Sequence, residues 1–331
     1  MSHKALLALL LGLTACQAPL RMPVNLQAQR TPVQTEQQMA GQSYRAYDEG
    51  HAYGTFHTYD ALKACPEAKV RRVHVLLPRD YAQSGRRYPV VYMNDAFTAF
   101  FVNQHNPVGR TWDVAGTLSQ LKGRVQDVIV VAMTPVVRDR EYTLTAFADQ
   151  RLCCQVEAYA REIAACIKPF FDQNYRTRPE REHTAMVGSS HGGLASFVIA
   201  TRQSQTFGYA AALSPSFWAG LDYNYRDDDS KRIADSALVQ PVAGILADPA
   251  RRPTLWLDWG LKRDGGSINE TTERLATRRT KEMAELLQTR YGYRPGRDLF
   301  VHEDPTGGHD EFAWKVRFGL LMQAFFPASG R

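Results

Sequence analysis

The segment Gly188-Ser189-Ser190-His191-Gly192 constrains this chain more than any other. An apolar run over 184–187 precedes it, and a helical pattern follows to about Arg202. A G-x-S-x-G turn between a strand and a helix forces its serine into a strained conformation, from which the hydroxyl projects clear of the chain. Glycine suits the two flanking positions because neighbouring backbone passes close to them. The pattern therefore predicts that Ser190 is a nucleophile at the edge of an α/β sheet.

The rest of the chain predicts one large α/β domain. Its 331 residues, 44% of them hydrophobic, suffice for a sizeable core. Strands alternate with helices, which favours a doubly wound, mostly parallel sheet. The first predicted strand is expected at the sheet edge, and the second is expected to be an antiparallel, edge-type strand. The predicted strands are 54–59, 70–77, 88–93, 125–133, 184–187, 209–213, 254–259 and 298–302, and the predicted helices are 111–121, 156–171, 191–202, 274–290 and 314–326.

Charge and composition exclude several classes of function. The formal net charge is +6, and the basic residues are scattered. Without Lys/Arg runs interleaved with aromatic residues, we expect no nucleic-acid partner. No His/Cys pair has zinc spacing, and we expect neither a metal nor another cofactor.

The N-terminus has the pattern of an export signal. Lys4 precedes a short apolar stretch that ends Leu13-Thr14-Ala15-Cys16. The stretch is too short to span a bilayer, and its last four residues resemble a bacterial lipobox. We therefore expect Cys16 to be lipidated and to anchor the protein in the cell envelope. Gln17 favours the outer membrane, and a plain signal peptide cleaved nearby is the alternative.

The predicted organisation is a signal peptide over 1–16, a flexible tether over 17–45 and a single domain over 46–331. The tether is rich in Gln, Pro, Thr and Ala and lacks apolar periodicity. Four cysteines remain if Cys16 is lipidated: Cys65, Cys153, Cys154 and Cys166. They permit two disulfides in three connectivities, among which the sequence does not choose.

A serine nucleophile needs a base, and the base needs an orienting acid. His309 lies in the glycine-rich segment 305–310, directly after the last predicted strand, and is the predicted base. Asp264 follows the strand 254–259 and is the predicted acid. Asp258, inside that strand, is the main alternative, and Asp310 is a more distant one.

Two backbone N–H groups are needed to bind the oxyanion. The N–H of His191, next to the nucleophile, is the first. The second is expected from Ala96 or Phe97, which follow the strand 88–93. Asp95 is expected to hold that turn by a side-chain to backbone hydrogen bond.

Further residues are expected to line a substrate cleft, since they lie in loops after strands on the same edge of the sheet. The segment 214–218 should close over the site. The predicted substrate-binding residues are Asp95, Trp112, Arg138, Glu141 and Trp218.

These motifs together resemble one family. The segments that carry the resemblance are 92–97, 138–143, 175–179, 188–193, 214–218 and 307–310 followed by Trp314. They are similar to the putative esterase, or esterase D-like, branch of α/β-hydrolases, which includes enterochelin esterases and feruloyl esterases. The resemblance implies the α/β-hydrolase fold, with helices on both faces of the sheet. The chain departs from the family pattern at Ala96, where glycine is common. It also departs at residues 261–263, which lengthen the spacing between Trp259 and Asp264.

The predicted function is that of an exported serine esterase that acts on a small ester through an acyl-enzyme. The resemblance implies a siderophore, feruloyl or acetyl ester. Acyl transfer by the same residues is one alternative. A lipoprotein that keeps the fold and binds a ligand without turnover is the other.

Overall fold

The computed structural model describes residues 33–147, 153–222, 226–263 and 270–328. Its centre is a ten-stranded sheet in the order β1-β2-β3-β4-β6-β5-β7-β8-β9-β10. The strands are β1 Thr35–Met39, β2 Gln42–Tyr47, β3 Gly54–Leu62, β4 Arg71–Pro78, β5 Val90–Met93, β6 Ile129–Met133, β7 Thr184–Ser189, β8 Tyr209–Leu213, β9 Thr254–Gly260 and β10 Leu299–Asp304.

Helices cover both faces of the sheet, as predicted. The helices are α1 Tyr81–Ser84, α2 Ala96–Ala99, α3 Val114–Gln120, α4 Arg138–Tyr142, α5 Val156–Glu162, α6 Lys168–Asn174, α7 His191–Arg202, α8 Ala243–Leu246, α9 Glu270–Thr289 and α10 Glu311–Phe325. A π-helical segment, Ile163–Ile167, joins α5 to α6, so the helix predicted over 156–171 continues to Asn174. None of the helices in the described ranges is long and apolar enough to cross a membrane.

The strands β5 to β10 run parallel, and β1 to β4 form an antiparallel meander that joins β6. The parallel strands all end at one edge, which we call the carboxyl edge. The strands β5 and β7 are neighbours in the sheet. The chain continues from β5 to β6 on one side of this pair and from β7 to β8 on the other, so the strand order reverses between them. Such a switch point opens a crevice at the carboxyl edge, where α/β proteins bind ligands.

Alternating side chains of the central strands pack into two hydrophobic cores, one on each face of the sheet. On β5, Val90 and Tyr92 pack with the side of the sheet that carries α5 to α7 and α9, whereas Val91 and Met93 pack with α3 and α10. All four side chains are at most 1% exposed. Burial on both faces explains why this strand reads as a continuous apolar run.

The predicted tether is wrong over residues 35–45. These residues belong to a β1–β2 hairpin, and β2 pairs with β3, so β3 and β4 are interior strands rather than edge strands. Ala40 and Gly41 have φ values of 48° and 75°, which is the geometry of a two-residue hairpin turn. The hairpin lacks apolar periodicity because β1 is exposed and β2 buries only Tyr44 and Tyr47.

The structure contains two disulfides, which correspond to one of the three possible connectivities. Cys65 pairs with Cys166 across 101 residues, and Cys153 pairs with its neighbour Cys154. The first bond ties the loop between β3 and β4 to the π-helical segment. Cys16 lies outside the described residues.

Candidate active site

The strand–turn–helix prediction around Ser190 is confirmed. Ser190 stands between β7 and α7 with φ 55° and ψ −124°, a conformation that costs energy for any residue with a side chain. Its N–H donates to Leu213 O at 2.9 Å. A Cβ on Gly188 would lie 2.4 Å from Gly192 O, and a Cβ on Gly192 would lie 2.9 Å from Asp95 Oδ2. Gly188 is therefore required by the close approach of backbone, and Gly192 by the close approach of the Asp95 side chain.

Ser216 is a neighbour of Ser190 that sequence reasoning did not single out. Its Oγ lies 3.3 Å from Ser190 Oγ, and its N–H donates to Ser190 O at 2.9 Å. Both side chains are buried. The segment 214–218 does pack over the turn Gly188–Gly192, which we call the elbow, as predicted, because β8 lies beside β7. The one sequence signal for this contact is that Ser216 follows β8, the strand beside β7.

His309 lies on the loop after β10, at the carboxyl edge. Asp304 shapes this loop by accepting hydrogen bonds from the N–H groups of Gly307 at 2.7 Å and Thr306 at 3.1 Å. A Cβ on Gly260 would lie 2.2 Å from Gly307 O, so the loop passes directly over the end of β9. The His309 ring packs edge-on against Trp314, with a centroid distance of 5.0 Å.

Burial keeps the His309 imidazole neutral. Desolvation, followed by the charges of Arg317, Arg138 and Arg263, lowers its pKa to about 3. Burial, with smaller contributions from Arg138 and His309, likewise lowers the pKa of His191 to about 3. A neutral imidazole is the form that accepts a proton from a hydroxyl.

The predicted acid, Asp264, lies outside the described residues. Its two alternatives are engaged elsewhere. Asp258 is fully buried and accepts hydrogen bonds from Arg317 Nη1 at 2.7 Å, Ser214 N at 3.0 Å and Trp256 Nε1 at 2.8 Å. Asp310 caps α10 by accepting from Phe312 N at 2.9 Å and Ala313 N at 3.0 Å. Both carboxylates thus serve the fold.

Glu273 on α9 is a further carboxylate to consider as the acid, because it lines the same small cavity as His309. It is 3% exposed and shares a small cavity wall with His309, Ser214 and Arg263. Its Oε2 lies 3.9 Å from Arg263 Nη1. In the sequence, Glu273 immediately precedes the predicted helix 274–290, where an acidic residue is common, so no signal distinguished it.

As the predicted acid, Asp264 would orient His309, so we expect Asp264→Asn to lower kcat by about 10²- to 10⁴-fold. Glu273→Gln keeps the shape of the side chain, and we expect it to lower kcat by less than about 10-fold. Steady-state kinetics with 4-nitrophenyl acetate measures both. The reverse order of effects would transfer the acid role to Glu273.

The turn after β5 meets the elbow, as the oxyanion prediction requires. Asn94 N–H donates to Val187 O at 2.9 Å, and its Nδ2 donates to Gly192 O at 2.9 Å. Ala96 is buried and Phe97 partly buried at the start of α2, where N–H groups have no intrahelical partner. Asp95, and not Ala96, takes the left-handed conformation, with φ 57°. The backbone at Ala96 therefore does not require glycine.

The predicted role of Asp95 in capping this turn is wrong. Its side chain makes no capping hydrogen bond and instead forms a two-bond ion pair with Arg138, at 2.9 Å from Nε and 2.8 Å from Nη2. Arg138 Nη1 in turn lies 3.5 Å from His191 Nδ1. The paired geometry holds Asp95 and Arg138 beside the elbow.

The other predicted substrate residues divide into two groups. Trp218 packs on His191, with a centroid distance of 5.8 Å, and so borders the site. Trp112 is 3% exposed and packs behind Trp314, so it supports the site from the core.

The prediction that Glu141 binds substrate is wrong. Its carboxylate is fully buried and binds Arg71 Nη1 at 3.1 Å, Lys69 Nζ at 2.9 Å and Val136 N at 3.0 Å. A fully buried carboxylate whose donors all come from the protein is inaccessible to a ligand. The sequence alone does not distinguish a carboxylate in a buried ion-pair network from one in a charged substrate cleft.

Known proteins share this arrangement at the level of family and fold. The family model described as "Putative esterase" matches residues 68–322. An uncharacterized protein of Bacillus subtilis strain 168, YbbA, is 23% identical over 158 residues, which are 45% of this chain and 58% of that relative. The chain thus spans a little over half the length of this curated relative.

Three solved structures illustrate the fold. The BES protein from Bacillus cereus has a TM-score of 0.58 and 15% identity, with 82% of this chain and 94% of that chain covered. The siderophore hydrolase EstA from Aspergillus nidulans has a TM-score of 0.57 and 18% identity, covering 78% and 92%. The feruloyl esterase module from Clostridium thermocellum, complexed with sinapinate, has a TM-score of 0.56 and 16% identity, covering 87% and 95%.

The fold around the elbow and the length of the family match agree with the resemblance seen in the motifs. The chain therefore belongs to the putative esterase family, a family of carboxylic ester hydrolases built on the α/β-hydrolase fold.

Proposed function

We propose that this protein is an exported, lipid-anchored serine esterase with Ser190 as nucleophile, His309 as base and Asp264 as acid. The observation that carries the proposal is the strained Ser190, with φ 55°, at the switch point of the sheet. The buried neutral His309 on the loop after β10 supports it.

In the proposed mechanism, His309 takes the proton of Ser190 as Oγ attacks the ester carbonyl carbon. The N–H groups of His191 and of Ala96 or Phe97 bind the resulting oxyanion. The intermediate collapses, the alcohol leaves with the proton from His309, and the acyl group stays on Ser190. Water then attacks the acyl-enzyme with His309 again as base, which releases the acid and restores Ser190.

The proposal also concerns the identity of the ester substrate. The structural neighbours include a siderophore hydrolase and a feruloyl esterase module, and we propose a siderophore, feruloyl or acetyl ester here. A panel of these esters, with purified protein and the Ser190→Ala variant as control, tests it. Acyl transfer by the same residues would appear as a new ester when candidate alcohols are added. Binding of an ester without turnover would favour the non-catalytic alternative.

The pKa of His309 predicts the pH profile. Its pKa of about 3 lies below the ordinary histidine value, so the neutral base persists as the pH falls. We expect kcat/KM to change less than about 2-fold between pH 8 and pH 5.5, whereas a base of ordinary pKa would lose about 10-fold. Initial rates on a substrate without titrating groups measure this, and circular dichroism at each pH verifies that the protein stays folded. An acid limb with a midpoint near pH 6.5 would contradict the expectation.

The lipid anchor is proposed from the lipobox sequence ending at Cys16. In a bacterial host, we expect Cys16→Ala to abolish labelling by radioactive palmitate and to move the protein from the membrane to the soluble fraction. Thr14→Ala keeps a small residue at the lipobox and should leave both unchanged. Labelling that survives in Cys16→Ala would overturn the anchor.

A further inference from the structure

Basic residues that are scattered along the sequence lie together at the edge of the sheet opposite the candidate active site. We call this the amino edge, because the parallel strands begin there. The segments that connect elements at this edge contain thirteen Lys and Arg residues and eight Asp and Glu residues, an excess of five positive charges. The formal net charge of the whole chain is +6. These segments are 48–53, 79–89, 121–128, 175–183, 203–208, 247–253 and 290–298.

The carboxyl edge has no such excess. The described segments that follow strands at that edge contain seven basic and seven acidic residues. The positive charge of the chain is therefore concentrated at the amino edge. The segments counted at the carboxyl edge are 63–70, 94–113, 134–147, 214–222, 261–263 and 305–310.

Most of the amino-edge cations are exposed and lack a carboxylate partner. Two of the exposed arginines form ion pairs, Arg79 with Asp48 and Arg86 with Asp80 and Asp127. The other seven exposed cations form no ion pair with a carboxylate in the part of the chain that the structure describes. Their charges are thus available to an external anion. The nine exposed cations are Arg79, Arg86, Arg87, Lys122, Arg124, Arg251, Arg290, Arg294 and Arg297.

The size and shape of the amino edge favour a surface rather than a small ligand. Arg124 precedes β6 and Arg297 precedes β10, five strand positions away, so the basic residues extend over roughly 24 Å. Between them, Arg86, Arg87 and Arg178 line an open depression of about 540 Å³. A guanidinium binds phosphate oxygens through two parallel hydrogen bonds. A broad row of arginines can therefore bind many phosphates at once, as a layer of phospholipid headgroups presents them.

The chain enters the domain from the same side. Antiparallel pairing through β2, β3 and β4 sets Thr35, the first residue of β1, level with Val131 in the middle of β6. From there β1 runs toward the carboxyl edge, so the chain enters β1 from the amino side. The proposed anchor at Cys16 precedes this point of entry in the sequence.

We propose that the amino edge docks on a bilayer that contains anionic phospholipids and holds the candidate active site toward the aqueous phase. Thr184 begins β7 and Ser190 follows its last residue, so about 20 Å of strand separates Ser190 from the amino edge. This orientation rests on the proposed lipid anchor for the nearness of a membrane. In this orientation the ester reaches Ser190 from solution rather than from the bilayer.

Vesicle binding by the protein without its lipid tests the surface alone. A chain that begins at Gln17 keeps both hydrophobic cores, whose residues lie between 39 and 326. It is sedimented with vesicles of equal parts phosphatidylcholine and phosphatidylglycerol, and with vesicles of phosphatidylcholine only. We expect at least about 10-fold tighter binding to the mixed vesicles, and loss of that binding in about 0.5 M NaCl.

Removal of three amino-edge charges identifies the residues that bind. Each basic residue close to an anionic bilayer contributes about 5-fold to binding. We therefore expect Arg87→Gln, Arg124→Gln and Arg297→Gln in one protein to weaken binding to the mixed vesicles about 100-fold. These three side chains are exposed and form no ion pair among the described residues, so the variant should keep its fold.

The matched control removes three charges from the carboxyl edge. Lys63 follows β3, Arg110 follows β5 and Arg140 follows β6, and their joint replacement by glutamine lowers the net charge equally. We expect this control to change vesicle binding less than about 3-fold, because the effect of a charge on a bilayer decays within about 10 Å. The two triple variants thus report the orientation of the bound protein.

Three results would overturn the docking surface. They are equal binding to the two kinds of vesicle, equal losses in the two triple variants, and tighter binding to a short single-stranded DNA than to the mixed vesicles. Binding is measured without turnover and without the lipid. Failure of the esterase proposal or of lipidation at Cys16 would therefore leave its outcome unchanged.

Discussion

Ser190→Ala is expected to lower kcat for 4-nitrophenyl acetate by about 10⁴- to 10⁶-fold, since no other group replaces the attacking oxygen. The elbow should survive the change, because the Ser190 backbone is held by its N–H bond to Leu213 O and by the Ser216 N–H bond to Ser190 O. A small residual rate above that of water is expected from the oxyanion donors.

Ser189→Ala is the matched control for that experiment. Ser189 is the last residue of β7 and is as buried as its neighbour, at 5% against 8% exposed. We expect less than about a 3-fold change in kcat, because its hydroxyl is not at the projecting position of the elbow. Equal rates for Ser190→Ala and the wild type would refute the serine mechanism outright.

Arg317→Met is expected to lower the free energy of unfolding by about 3 to 5 kcal/mol, because it leaves the buried Asp258 carboxylate without its cation. Arg317 and Asp258 are both fully buried, with Nη1 2.7 Å from Oδ1. Arg317 Nη1 also donates to Ser214 Oγ at 2.9 Å, and Nη2 donates to Gly308 O at 2.5 Å. Because Gly308 precedes His309, the folded variant should also lose activity.

Denaturant unfolding measures the stability change, and a double-mutant cycle assigns its cause. Arg317→Met with Asp258→Leu removes both charges and should be less destabilised than the sum of the single variants. Recovery should be incomplete, because Trp256 Nε1 and Ser214 N also lose their acceptor. Arg86→Met, at an arginine whose side chain is 53% exposed, should cost less than about 1 kcal/mol. A cost for Arg317→Met no larger than that of Arg86→Met would contradict the role of the buried pair.

The most local features of the site were predictable. The elbow is set by five consecutive residues, and its two glycines are required by contacts within the same turn or with the turn after β5. The strands β5 to β9 are short, mostly apolar runs, and parallel strands buried on both faces leave that pattern in any sequence. The positions of Ser190 and His309 after β7 and β10 follow from the order of those strands.

Features that depend on distant partners were not predictable. The polar β1–β2 hairpin lacks a signal because its stability comes from backbone pairing with β3 and from two tyrosines. Glu141 resembles a surface carboxylate until Arg71, 70 residues earlier, is folded against it. Cys153 bonds to its sequence neighbour, which no spacing rule would single out.

The printed sequence was enough to predict the fold, the position of Ser190 between β7 and α7 and the loop that brings His309 to the carboxyl edge, because these depend on local periodicity and on chain order. Only the folded molecule decided which charges are structural. It paired Asp258 with Arg317 and Glu141 with Arg71, and so left these two buried carboxylates to the fold rather than to a ligand. The reason is physical: the role of a charged side chain depends on its burial and on its partner, and both are properties of three-dimensional packing.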